Sequence, residues 1–184
     1  MSVWVFAEER SGSTWLCSAI AQRFSLSFIY THKHDPHENA VHQTHNYGLL
    51  DKVEGTILRT ARKDWYEQFL SYTIMVRYEW SEPFITKNRT YCFGQLLAGA
   101  PITVMENEVM AWLALKRERE ALWADRAQTI YYEDLIEGVA IPSLGIDKIG
   151  FSDGGVFQKI PYEKEDRFNN PDQIREWLCQ RYDK

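Results

Sequence analysis

Arg10-Ser11-Gly12-Ser13-Thr14-Trp15-Leu16 follows directly on the apolar run Val3-Trp4-Val5-Phe6-Ala7 and the two acids Glu8 and Glu9. A buried strand, a glycine turn and a helix in that order aim backbone N–H groups and the positive end of the helix dipole at one spot, which suits a bound anion. Arg10 adds a fixed positive charge, Ser13 and Thr14 add hydroxyl donors, and Gly12 lets the backbone approach closely. Written as the phosphate loop of kinases and nucleotide hydrolases, the frame is Ala7-x4-Gly12-Ser13-Thr14. Ala7 then stands for the first glycine and Ser13 for the lysine that reaches the outer phosphates. That replacement weighs against ATP chemistry, which remains the rival enzymatic reading.

Two further groups carry chemistry. Arg59, Arg62 and Lys63 sit where a strand candidate gives way to a helix, and Ser71 follows eight to twelve positions on within Gln68-Phe69-Leu70-Ser71-Tyr72. All five histidines (His32, His34, His37, His42, His45) lie within one short stretch. Imidazoles with Asp35 are a conceivable zinc set, but there is no helical i,i+4 pair and no nearby cysteine, so we assign no metal.

The elements that must position these groups follow from the pattern. Val3 to Ala7 reads as a buried strand and Thr14 to Phe24 as a helix, with Leu16, Ala19, Ile20 and Phe24 on one side. Ser25–Tyr30, Ala40–Thr44, Gly55–Thr60 and Gln128–Tyr132 are further strands, and the polar stretch from His32 to Asn39, which holds Pro36, reads as a loop. Asp64 suits the start of a helix reaching about Trp80, with Trp65, Phe69, Tyr72 and Val76 recurring at three and four residues. Pro101 to Asp125 reads as a long helix whose Lys116-Arg117-Glu118-Arg119-Glu120 forms a solvated face. Ser81 to Pro101 is mixed, Gly138 to Gly155 is loop-rich, and Asn170-Pro171-Asp172 opens a last helix. Strands alternating with helices predict an α/β fold with a largely parallel sheet, and residues 1–184 read as one domain.

Composition bounds the function. The chain has 184 residues, 45% hydrophobic and 26% charged, which is ordinary for a globular protein. Its formal net charge of -5 argues against nucleic acid as a partner. No apolar run approaches the roughly 18 residues that span a bilayer, and no secretory leader pattern opens the chain. Cys17, Cys92 and Cys179 are odd in number and widely spaced, which fits free thiols and a cytoplasmic setting.

The run Arg10-Ser11-Gly12-Ser13-Thr14-Trp15-Leu16 closely resembles the phosphosulfate loop of the sulfotransferases, commonly Pro-Lys/Arg-Ser-Gly-Thr/Ser-Thr-Trp-Leu, with Glu9 in place of the proline. The stretch from Thr56 to Tyr72 resembles that family's second motif, a strand ending in arginine and then a helix presenting a serine. Tyr132-Glu133-Asp134-Leu135 is similar to a segment that follows a late strand, and Arg167-Phe168-Asn169-Asn170 to one before a last helix. The resemblance covers about residues 3–72 and 129–135. It implies a three-layer α/β sandwich of the P-loop nucleotide-binding type and 3′-phosphoadenosine 5′-phosphosulfate as donor. It further implies that Arg10, Ser11, Gly12, Ser13, Thr14 and Trp15 hold the phosphosulfate, and that Ser71 with an arginine holds the 3′-phosphate. Arg62 has the better spacing for that arginine, Arg59 better fits the strand end, and Lys63 is a third candidate. Thr44-His45 matches the end of the family's Lys-Thr-His triplet, with Gln43 in the lysine position, and implies His45 as general base beside catalytic Arg10. Glu38 is the alternative base. The acceptor would be a small molecule or carbohydrate bearing a hydroxyl or amine. The chain is shorter than most members, so the resemblance implies an acceptor pocket that is reduced or is completed by a partner subunit, as in a homodimer. A non-catalytic nucleotide-binding protein of the same fold is the third reading, favoured by Glu9 and Gln43.

Overall fold

The structure is a computed structural model that describes residues 1–31, 37–79, 100–123, 126–151 and 164–182. The chain forms two compact units, Met1–Lys63 with Arg119–Lys159, and Asp64–Glu118 with Ile160–Lys184.

The first unit is built on a five-stranded sheet of β1 (Ser2–Ala7), β2 (Ser27–Tyr30), β3 (Ala40–Thr44), β4 (Thr56–Ala61) and β5 (Gln128–Tyr131), in the order β2-β3-β1-β4-β5. Every pairing is parallel. β1 lies centrally, and Val3 to Ala7 are buried throughout, as a parallel strand covered on both faces must be. On one face Val3, Val5, Val41, Leu58 and Ile130 pack with Trp15, Leu16 and Ile20 of helix α1 (Ser13–Phe24). On the other, Trp4 and Phe6 pack with Leu49, Leu50 and Trp123. The arrangement is α/β with a parallel sheet flanked by helices, consistent with a three-layer sandwich.

The chain leaves β1 toward the β2 edge and leaves β4 toward the β5 edge, so the winding reverses between β1 and β4. The carboxyl ends of two such strands are where open parallel sheets take ligands. The loop from Glu8 to Gly12 hangs from one of these ends and Arg62 from the other.

Several elements differ from expectation. The loop-rich stretch after Gly138 holds an antiparallel hairpin, β6 (Val139–Ile141) and β7 (Ile146–Ile149). Its strands are too short to show alternation, but Ile141, Ile146 and Ile149 close the core above α1. The strand stops at Tyr131, and Tyr132 opens a short helix.

Among the described residues, the second unit contains α2 (Trp65–Ile74), extended by a π turn through Glu79, residues 106–118 of a longer helix and one further helix. Asp64 caps α2 as expected, its Oδ1 accepting the Glu67 N–H at 2.9 Å. α3 (Glu106–Trp123) begins later than the sequence suggests. Before it the chain is extended: Ile102 pairs with Phe168, and the Asn170 carboxamide binds both the N–H and the C=O of Val104. Phe69, Leu70, Val109, Trp112, Leu113, Ile174 and Leu178 form this unit's core. α4 is the short helix Tyr132–Glu137 of the first unit, and α5 (Pro171–Tyr182) starts at its proline. His32, His34, Asp35, Pro36, Trp80, Cys92 and most of the mixed stretch after Ser81 lie outside the described residues.

Candidate functional site

The loop from Glu8 to Gly12 is fixed from within. Glu8 N–H donates to the Thr60 carbonyl at 3.1 Å, carrying the β1–β4 ladder one step past the strand. The buried Ser11 hydroxyl gives its proton to the Glu8 carbonyl at 2.5 Å, so the Thr60 hydroxyl must donate to Ser11 Oγ at 2.7 Å. Ser11 therefore braces the loop with its side chain.

Arg10 and Gly12 both take the left-handed backbone conformation, with φ of 61° and 76°. The Gly12 carbonyl accepts the first helical bond from Leu16 N–H, and no side chain caps α1. The opening N–H groups of the helix are thus available to an anion. Arg10 is exposed and makes no ion pair among the described residues. A Cβ at Gly12 would lie 3.0 Å from Tyr132 Cδ2. Gly12→Ala combines that contact with a positive φ, and should cost about 1–2 kcal/mol. A lowered urea midpoint would show it; an unchanged one would mean that Tyr132 yields freely.

Tyr132 also links the loop to the basic end of β4. Arg62 is buried, with its guanidinium 4.5 Å from the Tyr132 ring centroid and Nε 3.5 Å from Glu133 Oε1. That buried Nε has no hydrogen bond among the described residues. Lys63 is exposed, donates its N–H to Glu133 Oε2 at 3.0 Å and pairs with Asp134. Arg59 is engaged elsewhere. It is buried and binds Glu8 and both oxygens of Glu120. Burial pulls against its charge, but the Glu120 hydrogen bonds and the Glu8 charge hold its proton more tightly than usual.

Glu9, the acid before Arg10, is met by a bidentate contact from Arg119, with Nη2 3.0 Å from Oε1 and Nη1 paired to Oε2. Burial works against ionisation, yet these bonds and the Arg119 charge hold the Glu9 carboxyl below the usual carboxylate range. Arg119 in turn lies over the Tyr47 ring, 4.9 Å from its centroid.

His45 sits at the end of β3, half-buried, with Nδ1 2.6 Å from the Ala7 carbonyl. A carbonyl only accepts, so Nδ1 carries the proton and the Nε2 lone pair of the neutral ring is directed elsewhere. Glu9 and His45 interact electrostatically, and the Tyr30 ring lies 5.7 Å from that of His45. Burial, followed by the Glu9 charge, raises the Tyr30 pKa.

The first unit thus carries Arg10, Ser11, Gly12, Ser13, Thr14, Trp15, His45 and Arg62. Trp15 is a core residue, edge-on to Phe151 at 4.8 Å. Ser71 belongs to the second unit, where it is buried on α2. His42 is also core, stacked on Trp4 at 4.1 Å, while Glu38 is exposed. Among the described residues no group of His, Cys, Asp or Glu comes together to hold a metal. The reading of Lys116–Glu120 as a solvated face is corrected in part: Arg117 and Glu118 are exposed, but Lys116 is buried against Gln68, Arg119 pairs with Glu9 and Glu120 pairs with Arg59. No family model, curated protein or solved structure matches the chain.

Proposed function

We propose that the chain is a sulfotransferase, carrying a sulfuryl group from 3′-phosphoadenosine 5′-phosphosulfate to an acceptor hydroxyl or amine. The observation that carries this reading is the uncapped start of α1, with exposed Arg10 beside it, at the reversal point of a parallel sheet. The loop N–H groups and Arg10 hold the phosphosulfate, with Ser13 and Thr14 as hydroxyl donors. In the transfer the acceptor oxygen attacks sulfur in line, and the bond from sulfur to the bridging oxygen breaks. The electron pair leaves on the 5′-phosphate, where Arg10 and the helix start stabilise it. His45 takes the acceptor's proton on Nε2, its other nitrogen being held by Ala7. Arg62 is the proposed ligand of the 3′-phosphate on the first unit.

Calorimetric titration with 3′-phosphoadenosine 5′-phosphate and with ATP tests the donor. The bisphosphate is expected to bind more tightly, and Arg10→Ala to weaken it about 10- to 100-fold, the value of a charge-assisted hydrogen bond of roughly 1.5–3 kcal/mol. Tighter ATP binding would instead favour the kinase or hydrolase reading. Transfer of labelled sulfate to sugars and phenols then tests turnover. Binding without transfer to any acceptor would favour a non-catalytic nucleotide-binding protein.

A further inference from the structure

We propose that Gln43 is a positioning residue for the anion loop: its buried carboxamide donates to the Ser13 hydroxyl and so directs the hydroxyl proton toward an anion at the start of α1. The inference deepens the reading above, and rests on it only for the identity of the ligand, since any phosphate would meet the same hydroxyl.

Gln43 lies inside the sheet on β3, in register with Val5 on one side and Tyr30 on the other. Its main chain is used in the ladder region, the carbonyl accepting Thr31 N–H at 2.8 Å. The side chain is only 3% exposed, where an apolar residue would avoid the cost of stripping a carboxamide of water. Nε2 donates to Ser13 Oγ at 2.9 Å, while Oε1 has no hydrogen bond among the described residues. The amide is therefore half satisfied, and the one bond it makes goes to the first residue of α1.

That bond has a direction. A serine hydroxyl has one proton and two lone pairs. Nε2–H occupies a lone pair, and Ser13 makes no other hydrogen bond among the described residues, so its proton is uncommitted. The neighbouring groups are the uncapped N–H donors that follow Gly12. With Gln43 in place, Ser13 Oγ–H joins them as a further donor. A carboxamide does not titrate, so this orientation persists across the pH range. A carboxylate at the same position can only accept, and would draw the proton back into the sheet.

The test is a binding cycle of wild type, Gln43→Met, Ser13→Ala and the double variant, using 3′-phosphoadenosine 5′-phosphate and, separately, inorganic pyrophosphate. Each single change is expected to weaken binding about three- to tenfold, the range for one hydrogen bond. The double variant should be no weaker than Ser13→Ala alone, because Gln43 acts through that hydroxyl. Gln43→Glu should bind less well than Gln43→Met, and it takes the place of methionine in the cycle if that variant does not fold. Urea midpoints separate a packing role, in which affinity would follow stability whatever stands at position 13. Wild-type affinity in Gln43→Met, or losses that multiply in the double variant, would overturn the inference and leave the donor reading standing. Coupling seen with pyrophosphate, together with no preference for the bisphosphate over ATP, would sink the donor reading and keep the inference. Failure of both probes to bind wild type would overturn both.

Discussion

Arg59→Met is expected to destabilise the fold by about 3–5 kcal/mol, the usual consequence of stranding one member of a buried ion pair. Glu8 has almost no exposure, and its carboxylate pairs with the buried Arg59 guanidinium. Glu120 is more than a third exposed, so solvent compensates much of what it loses and it adds little to the cost. For a chain of this length the loss should lower Tm by roughly 6–20 °C. Glu8→Gln should cost less, because Arg59 keeps Glu120. The double variant Glu8→Gln with Arg59→Met should recover most of the loss, since no charge is then left unpaired in the interior. Urea denaturation of the four proteins measures this directly. Equal and additive losses would show that Glu8 and Arg59 contribute through packing and not through their pairing. The same result bears on function, because Glu8 also supplies the carbonyl to which Ser11 donates.

This pair marks what the sequence does and does not disclose. The loop was legible because strand, glycine and helix signals all occur within a few residues, and local geometry leaves the start of α1 without a side-chain cap. The sheet was legible for a similar reason: β1 and β4 are apolar runs, and Asp64 announces α2. The hairpin after Gly138 was hidden because three- and four-residue strands carry no period, and their pairing is a tertiary fact. Arg59 looks from the sequence like a phosphate ligand at a strand end. Its partners are Glu8, a strand away, and Glu120, on a helix that local periodicity presents as solvated. A signal was nevertheless present: two adjacent acids next to an anion loop require two bases, and α3 offers Arg119 within its charged run. The link between Gln43 and Ser13 gave no such signal, because a neutral amide creates no charge imbalance to be explained.

Arg119→Met is expected to weaken phosphate binding about 10- to 100-fold while leaving the sheet intact. The carboxylate of Glu9, next in sequence to Arg10, would then lose its bidentate partner and act more strongly on an anion bound beside it. At an effective dielectric of about 20, a unit charge within several ångströms of another is worth on the order of 1–3 kcal/mol. Adding Glu9→Gln removes that charge, and the double variant should return close to wild-type affinity for 3′-phosphoadenosine 5′-phosphate. If Arg119 instead touched the anion itself, the double variant would remain as weak as Arg119→Met, so the comparison discriminates between neutralising Glu9 and binding the ligand. Stability provides a second readout through its pH dependence. The Glu9 carboxyl is held below its ordinary range in the folded chain, so its contribution is present at neutral pH and is lost as the pH falls through that lowered value. Arg119→Met should lose this acid-sensitive component, seen as a shallower fall in urea midpoint below about pH 4 than in wild type. An unchanged acid limb, together with unchanged phosphate affinity, would remove Arg119 from any account of the loop. The expected result makes Glu9 compatible with an anion site, because the acid is neutralised from α3 before a ligand arrives.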